Sequence, residues 1–144
     1  MTAFVDTNII VRHLTGDPPD LAYHATRFLR ETEELLLADL IVAETVYVLE
    51  SFYDVPRERV AELVRAVIMF PAIVVTDEPL LLRAVEVYEM DRLDFAEAYL
   101  VASAEVSGVR AVASFDKAVG RITTVHHIVP GKHVPADPDR ISPP

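Results

Sequence analysis

Short apolar runs alternate along this chain with longer segments in which apolar residues return every three or four positions. Ala3–Asp6 predicts a strand, and Thr7–Leu14 follows with helical spacing. Gly16-Asp17-Pro18-Pro19 predicts a turn. In Asp20–Thr32, Leu21, Ala25, Phe28 and Leu29 share one face of an amphipathic helix. Leu35–Ala38 is a second strand candidate. Asp39 is placed to cap a helix from Leu40 to about Tyr53, whose β-branched content keeps a strand open as the alternative. Pro56 suits the first turn of a helix to about Phe70. Ala72–Thr76 reads as a strand, and Pro79 starts a helix to about Met90. Asp94 and Glu97 have capping-box spacing before a helix to Ser107, which Gly108 ends. Arg110–Ser114 predicts a strand, Lys117–Arg121 a short helix and Val125–Val129 an edge strand. The closing VPADPDRISPP is proline-rich and expected to be loose.

Strands alternating with helices imply a short, mainly parallel sheet covered on both faces, with sites beyond the carboxyl ends of its strands. A chain of 144 residues, 51% hydrophobic, fits one globular domain over residues 1–130, with 131–144 as a tail. With no cysteine there are no disulfides and no zinc-thiolate sites, which suits a cytoplasmic location. No apolar run approaches the ~18 residues that span a membrane. MTAFVDTN lacks the basic and apolar regions of a signal peptide.

Charge changes this picture. Asp6 ends the stretch AFVD and precedes IIV; Glu44 is the only charge in LIVAETVYVL; Asp94 and Glu97 open DFAEAYLVA; Asp116 follows AVASF. A carboxylate among apolar residues is expensive unless paired or bound to a cation, and the chain has only two lysines, Lys117 and Lys132. A bound metal is the economical explanation. With no cysteine and no histidines at metal spacing, oxygen ligands favour Mg²⁺ or Mn²⁺. Such ions polarise a phosphodiester and generate hydroxide from water, so the expectation is metal-dependent phosphodiester hydrolysis. Each acid also has a plainer role: Asp6 as a helix cap, Glu44 as partner of an arginine, Asp94 and Glu97 as a capping box, Asp116 as a turn residue. Asn8 and Ser114 are candidates for orienting ligands. The net charge of −10 argues against nucleic-acid binding. Against that, Lys117–His133 holds Lys117, Arg121, Lys132, His126, His127 and His133 with no acid, and Lys117, Arg121 and Lys132 are the RNA-contact candidates.

FVDTNIIV, the glutamate of LIVAETVYVLE, LDFAEAYLVASA and VASFDKAVGRI, in this order and spacing from Ala3 to about Val129, resemble the PIN domain. They are most similar to the VapC group of bacterial and archaeal toxins. The resemblance implies a three-layer α/β/α sandwich and a Mg²⁺- or Mn²⁺-dependent ribonuclease. It also implies a homodimer held inactive by a VapB-type antitoxin. By motif, Asp6 is the first acid, Glu44 the second, Glu97 the third and Asp116 the fourth, with Ser114 the hydroxyl residue just before it. Most members carry Asp where this chain has Glu97, which reaches one methylene further. Asp94 matches an extra acid of many relatives and can share or replace that role.

Two other readings compete. One is a catalytically impaired PIN-like module that binds RNA or a protein. The other is an aspartyl-phosphate protein, of the haloacid dehalogenase or receiver type, with Asp6 at a strand end. The first type wants a second Asp where this chain has Asn8; the second wants a late lysine, for which Lys117 is the only candidate.

Overall fold

The computed structural model describes residues 1–132, so most of the expected tail, and His133, lie outside the described residues. The chain runs β1 (Thr2–Phe4), α1 (Thr7–Thr15), α2 (Pro19–Glu31), β2 (Glu34–Leu36), α3 (Asp39–Ser51), α4 (Arg57–Ile68), β3 (Ile73–Val74), α5 (Glu78–Met90), α6 (Phe95–Ser107), β4 (Ala111–Ala113), a 3-10 helix (Lys117–Arg121) and β5 (His126–Ile128). Asp39–Ser51 is therefore helix, and its strand alternative is overturned. In that segment Val42, Thr45, Val46 and Leu49 fall on one helical stripe and are all buried.

Every strand pairing is parallel. Thr2 lies opposite Glu34 and Leu35 opposite Ile73, giving the order β1-β2-β3, while Ala111 lies opposite His126 in a separate β4-β5 pair. The fold is α/β with three layers, as expected, but the sheet is drawn in two pieces. Its strands are two or three residues long and offer few ladder bonds. One core joins the pieces: Leu35 and Ile73 belong to the same apolar cluster as Val112, Val119 and Val125.

Caps decide where the side chains near the strand ends point. The Asp6 carboxylate accepts from the Thr7 N–H at 2.8 Å as α1 begins. Gly108 closes α6 at φ +78°, a left-handed position that glycine reaches without strain. Two expected caps are not made. Ala38, not Asp39, is the N-cap of α3, and Asp39 is the first helical residue. Asp94 is the N-cap of α6 but makes no capping hydrogen bond, so the Asp94–Glu97 capping box does not form. Pro56 likewise precedes α4 as its cap instead of standing in its first turn.

Candidate functional site

Asp6 follows β1 by two residues, and strand alternation decides its direction. Val5 is buried, while Phe4 and Asp6 on either side are exposed. Glu44 is exposed too. It shares a face of α3 with Leu40 and Tyr47, four residues before it and three after, and both are exposed despite their apolar character. Asp94 and Asp116 are exposed, and Glu97 is half-buried. The expectation that these acids sit in apolar surroundings is therefore corrected for Asp6, Glu44, Asp94 and Asp116, and the apolar neighbours of Glu44 in sequence face solvent with it; Glu97 keeps a partly buried setting.

The five acids fall into two groups. Thr7, buried beneath the first, donates its hydroxyl to Glu44 Oε2 at 2.9 Å, while its N–H serves Asp6. Asp6 and Glu44 thereby line one cleft of about 510 Å³, together with Asn8 and Arg12 of α1 and Phe52 and Tyr53 just after α3.

Glu97, Asp116 and Asp94 form the second group. Burial, then the Asp116 carboxyl and the Asp94 charge, raise the Glu97 pKa above the ordinary carboxylate value. Asp116 moves the other way. The Ala118 N–H, donated at 2.8 Å, lowers it most; the Glu97 carboxyl, Arg121 and His127 lower it further. The two carboxyls are therefore shifted in opposite directions, Glu97 chiefly by burial and Asp116 chiefly by the Ala118 N–H. Glu97 Oε2 is buried and accepts no hydrogen bond. Among the described residues no three carboxylates or imidazoles are arranged as a ready-made metal site.

The donor set nevertheless fits a hard divalent cation. The available atoms are carboxylate oxygens, one of them buried without a partner among the described residues, and burial together with Asp116 and Asp94 disfavours the Glu97 charge that a cation would stabilise.

Several contacts have no counterpart in the sequence reading. Arg57 Nη1 donates to the Tyr88 carbonyl at 2.8 Å and the Leu93 carbonyl at 2.7 Å, with its guanidinium 4.4 Å from the Tyr88 ring centroid. That clamp fixes the turn that delivers Asp94. His127 Nε2 pairs with the Ser114 carbonyl at 2.8 Å and its ring lies against Gly120, where a Cβ would come within 2.9 Å of Nδ1. It supports the loop that carries Asp116. Tyr99 donates to Asp39 Oδ2 at 2.5 Å, joining α6 to α3, and that contact pushes the Tyr99 pKa up to about 12. Only Thr7 carried a local signal, a small hydroxyl residue beside the cap acid.

Of the other candidates, Ser114 Oγ accepts from the Asp116 N–H at 3.0 Å. Lys117, Arg121 and Lys132 are all exposed, but Arg121 is committed to the Asp91 carbonyl at 2.8 Å.

Residues 3–124 match the description of the PIN domain. The chain belongs to the PIN domain family. The PIN fold is a nuclease-type fold, commonly metal-dependent, so this chain carries a nuclease scaffold. No curated protein matches the chain. Among the described residues no helix is long and apolar enough to cross a membrane.

Proposed function

We propose that this PIN domain is a Mg²⁺- or Mn²⁺-dependent endoribonuclease and the toxin of a toxin–antitoxin pair. The observation that carries the nuclease reading is Glu97: a half-buried carboxyl with a buried oxygen that has no hydrogen-bond partner among the described residues, its pKa raised by burial and then by Asp116 and Asp94. Glu97, Asp116 and Asp94 would hold a cation, and Asp6 and Glu44 line a cleft of their own. When bound, the cation supplies Lewis-acid polarisation of the phosphodiester and a more acidic water. The chain's own residues do the rest. Thr7 orients Glu44, Ser114 and His127 brace the Asp116 loop, and Arg57 fixes the turn before Asp94.

Partners are part of the proposal. Leu40 of α3 and Leu100 of α6, 76% and 50% exposed, flank an apolar groove between the two helices. Apolar surface of this kind supports contact with a second copy or with a VapB-type antitoxin. A short adjacent reading frame encoding a DNA-binding protein that co-purifies with the chain and silences cleavage is the expected result for the toxin role.

The test of the chemistry is cleavage of single-stranded RNA in Mg²⁺ or Mn²⁺ against EDTA, for the wild type and Asp6→Asn. Cleavage that needs the metal and disappears in Asp6→Asn is expected. Cleavage indifferent to both rejects the reading. A second reading, a PIN module that binds RNA or a protein without cutting, is favoured by the division of the acids into two groups. Metal-insensitive RNA binding with no cleavage would select it.

A further inference from the structure

The cleft beside Asp6 and Glu44 has walls that metal chemistry does not use. Phe52 stands just past α3 with its ring 74% exposed. Tyr53 next to it donates its hydroxyl to Asp17 Oδ2 at 3.1 Å, which anchors the ring to the turn between α1 and α2. On the opposite side, Asn8 and Arg12 are four residues apart on α1 and line the same cleft. Arg12 is half-buried and, among the described residues, makes no ion pair and no side-chain hydrogen bond, although Asp6, Asp17 and Glu44 line the cleft with it. Arg27, Arg59, Arg65, Arg83 and Arg92 all pair with glutamates, and Arg57 and Arg121 are spent on carbonyls; Arg30 and Arg110 share Arg12's lack of such partners among the described residues but do not line the cleft.

A flat aromatic wall, an uncommitted guanidinium and an amide, set beside acids read as nuclease acids, are the parts that hold one nucleotide. Every base has a face that stacks on an aromatic ring, a guanidinium matches a phosphate, and an amide can both donate to and accept from a ribose hydroxyl. Base faces are free only where the strand is unpaired. The volume, about 510 Å³, is that of a small-ligand pocket.

We propose that the cleft between α1 and the end of α3 seats one unpaired nucleotide of an RNA strand, its base against Phe52 and Tyr53, its phosphate on Arg12 and its ribose beside Asn8. The inference rests on the nuclease reading, since it makes this cleft the place that presents the strand to the acids. A protein segment is the competing occupant. The observations favour the nucleotide because the cleft's one basic side chain, Arg12, is a guanidinium without an ion pair among the described residues and matches phosphate, and its most exposed apolar surface is a flat ring.

The test is binding of a short, fluorescently labelled single-stranded RNA to the full chain in EDTA, where a metal-dependent nuclease cannot cut, read by anisotropy. Phe52→Ala should weaken binding about tenfold, the typical loss of one stacked base, and Phe52→Tyr should restore it. Arg12→Gln should weaken binding and reduce its salt slope by about one charge. Tyr23→Ala, an exposed aromatic on α2 away from the cleft, should bind as the wild type does. Phe52 is exposed, so its variants should keep the wild-type melting temperature, measured alongside. Binding unaffected by both Phe52→Ala and Arg12→Gln overturns the proposal, as does preference for the duplex of the same sequence or failure of the wild type to bind. A cognate antitoxin displaced by Phe52→Ala while RNA binding stays unchanged assigns the cleft to protein and also overturns it. Metal-dependent cleavage with binding indifferent to Phe52 removes this inference alone. Phe52-dependent binding without cleavage removes the nuclease reading and leaves the nucleotide seat.

Discussion

At the scale of single residues, Thr7 does more than its size suggests. It is buried, and its backbone and side chain serve one acid each. Thr7→Val keeps the shape and removes the hydroxyl, which leaves Glu44 without the bond that orients it. A hydrogen bond to a charged group is worth about 1.5–3 kcal/mol, and part of that loss should appear as a fall in cleavage of roughly tenfold or more. Thr7→Ser should recover most of the rate, and the melting temperature of both variants should stay close to the wild type. A Thr7→Val enzyme with undiminished cleavage removes Thr7 from the site. His13 carries a second expectation. Its Nδ1 meets Thr26 Oγ1 at 2.8 Å, and burial, followed by the Arg30 charge, lowers its pKa below 6.5. The folded state therefore binds the His13 proton less readily than the unfolded state does. The neutral form's advantage is complete above the unfolded value and is lost as pH falls below about 6.5 toward the lower folded value. Urea unfolding at pH 7.5 and 5.5 should show a smaller loss in His13→Gln than in the wild type, by at most about 1.4 kcal/mol per pH unit.

At the scale of elements, the clearest test is the Arg57 clamp. One guanidinium nitrogen joins the first turn of α4 to the end of α5 and to Leu93, just before Asp94. Arg57→Gln should destabilise the protein by about 2–3 kcal/mol in urea and lower cleavage beyond what the lost stability explains, because the turn that aims Asp94 is released. Arg57→Lys should rescue only part, since an ammonium can donate to both carbonyls but loses the guanidinium face over the Tyr88 ring. Such a clamp is invisible in sequence: Arg57 lies 31 residues from Tyr88 and reads as one more surface charge on an amphipathic helix. The elements themselves were legible, because runs such as Ile73–Val74 and stripes such as Val60, Val64 and Val67 carry their periodicity openly. Burial was not legible in α3 and α6. Both are apolar on more than one side, so the sequence cannot show which side meets the core. Leu40, Tyr47 and Leu100 are exposed, and Glu44 is exposed with them. Asp6, Glu44, Asp94 and Asp116 were found for a reason the structure corrects, since their apolar neighbours in sequence are not a buried environment in space, whereas Glu97 is partly buried.

At the scale of the whole molecule, the charge of −10 and the grouping of the acids lead to one expectation about stability. Burial, and then Asp116 and Asp94, make the Glu97 charge costly in the metal-free protein. A cation that binds only the folded state stabilises it by mass action, about 2.7 kcal/mol at a hundredfold excess over its Kd, which for a domain of this size is roughly 5–10 °C in Tm. Millimolar Mn²⁺ should produce that rise, and KCl at equal ionic strength should not, because screening acts on all 23 acids and 13 basic residues without selecting a site. Asp116→Asn removes one candidate ligand and keeps the cap. Asparagine can still cap the 3-10 helix, but the charge that the Ala118 N–H, Arg121 and His127 favour is lost, so the metal-free variant should melt at or slightly below the wild-type temperature. Its response to Mn²⁺ should be largely gone. A wild type whose Tm is indifferent to Mn²⁺, or an Asp116→Asn variant that responds fully, would mean that the second group of acids holds no cation, and the chemistry would then have to rest on the Asp6–Glu44 cleft.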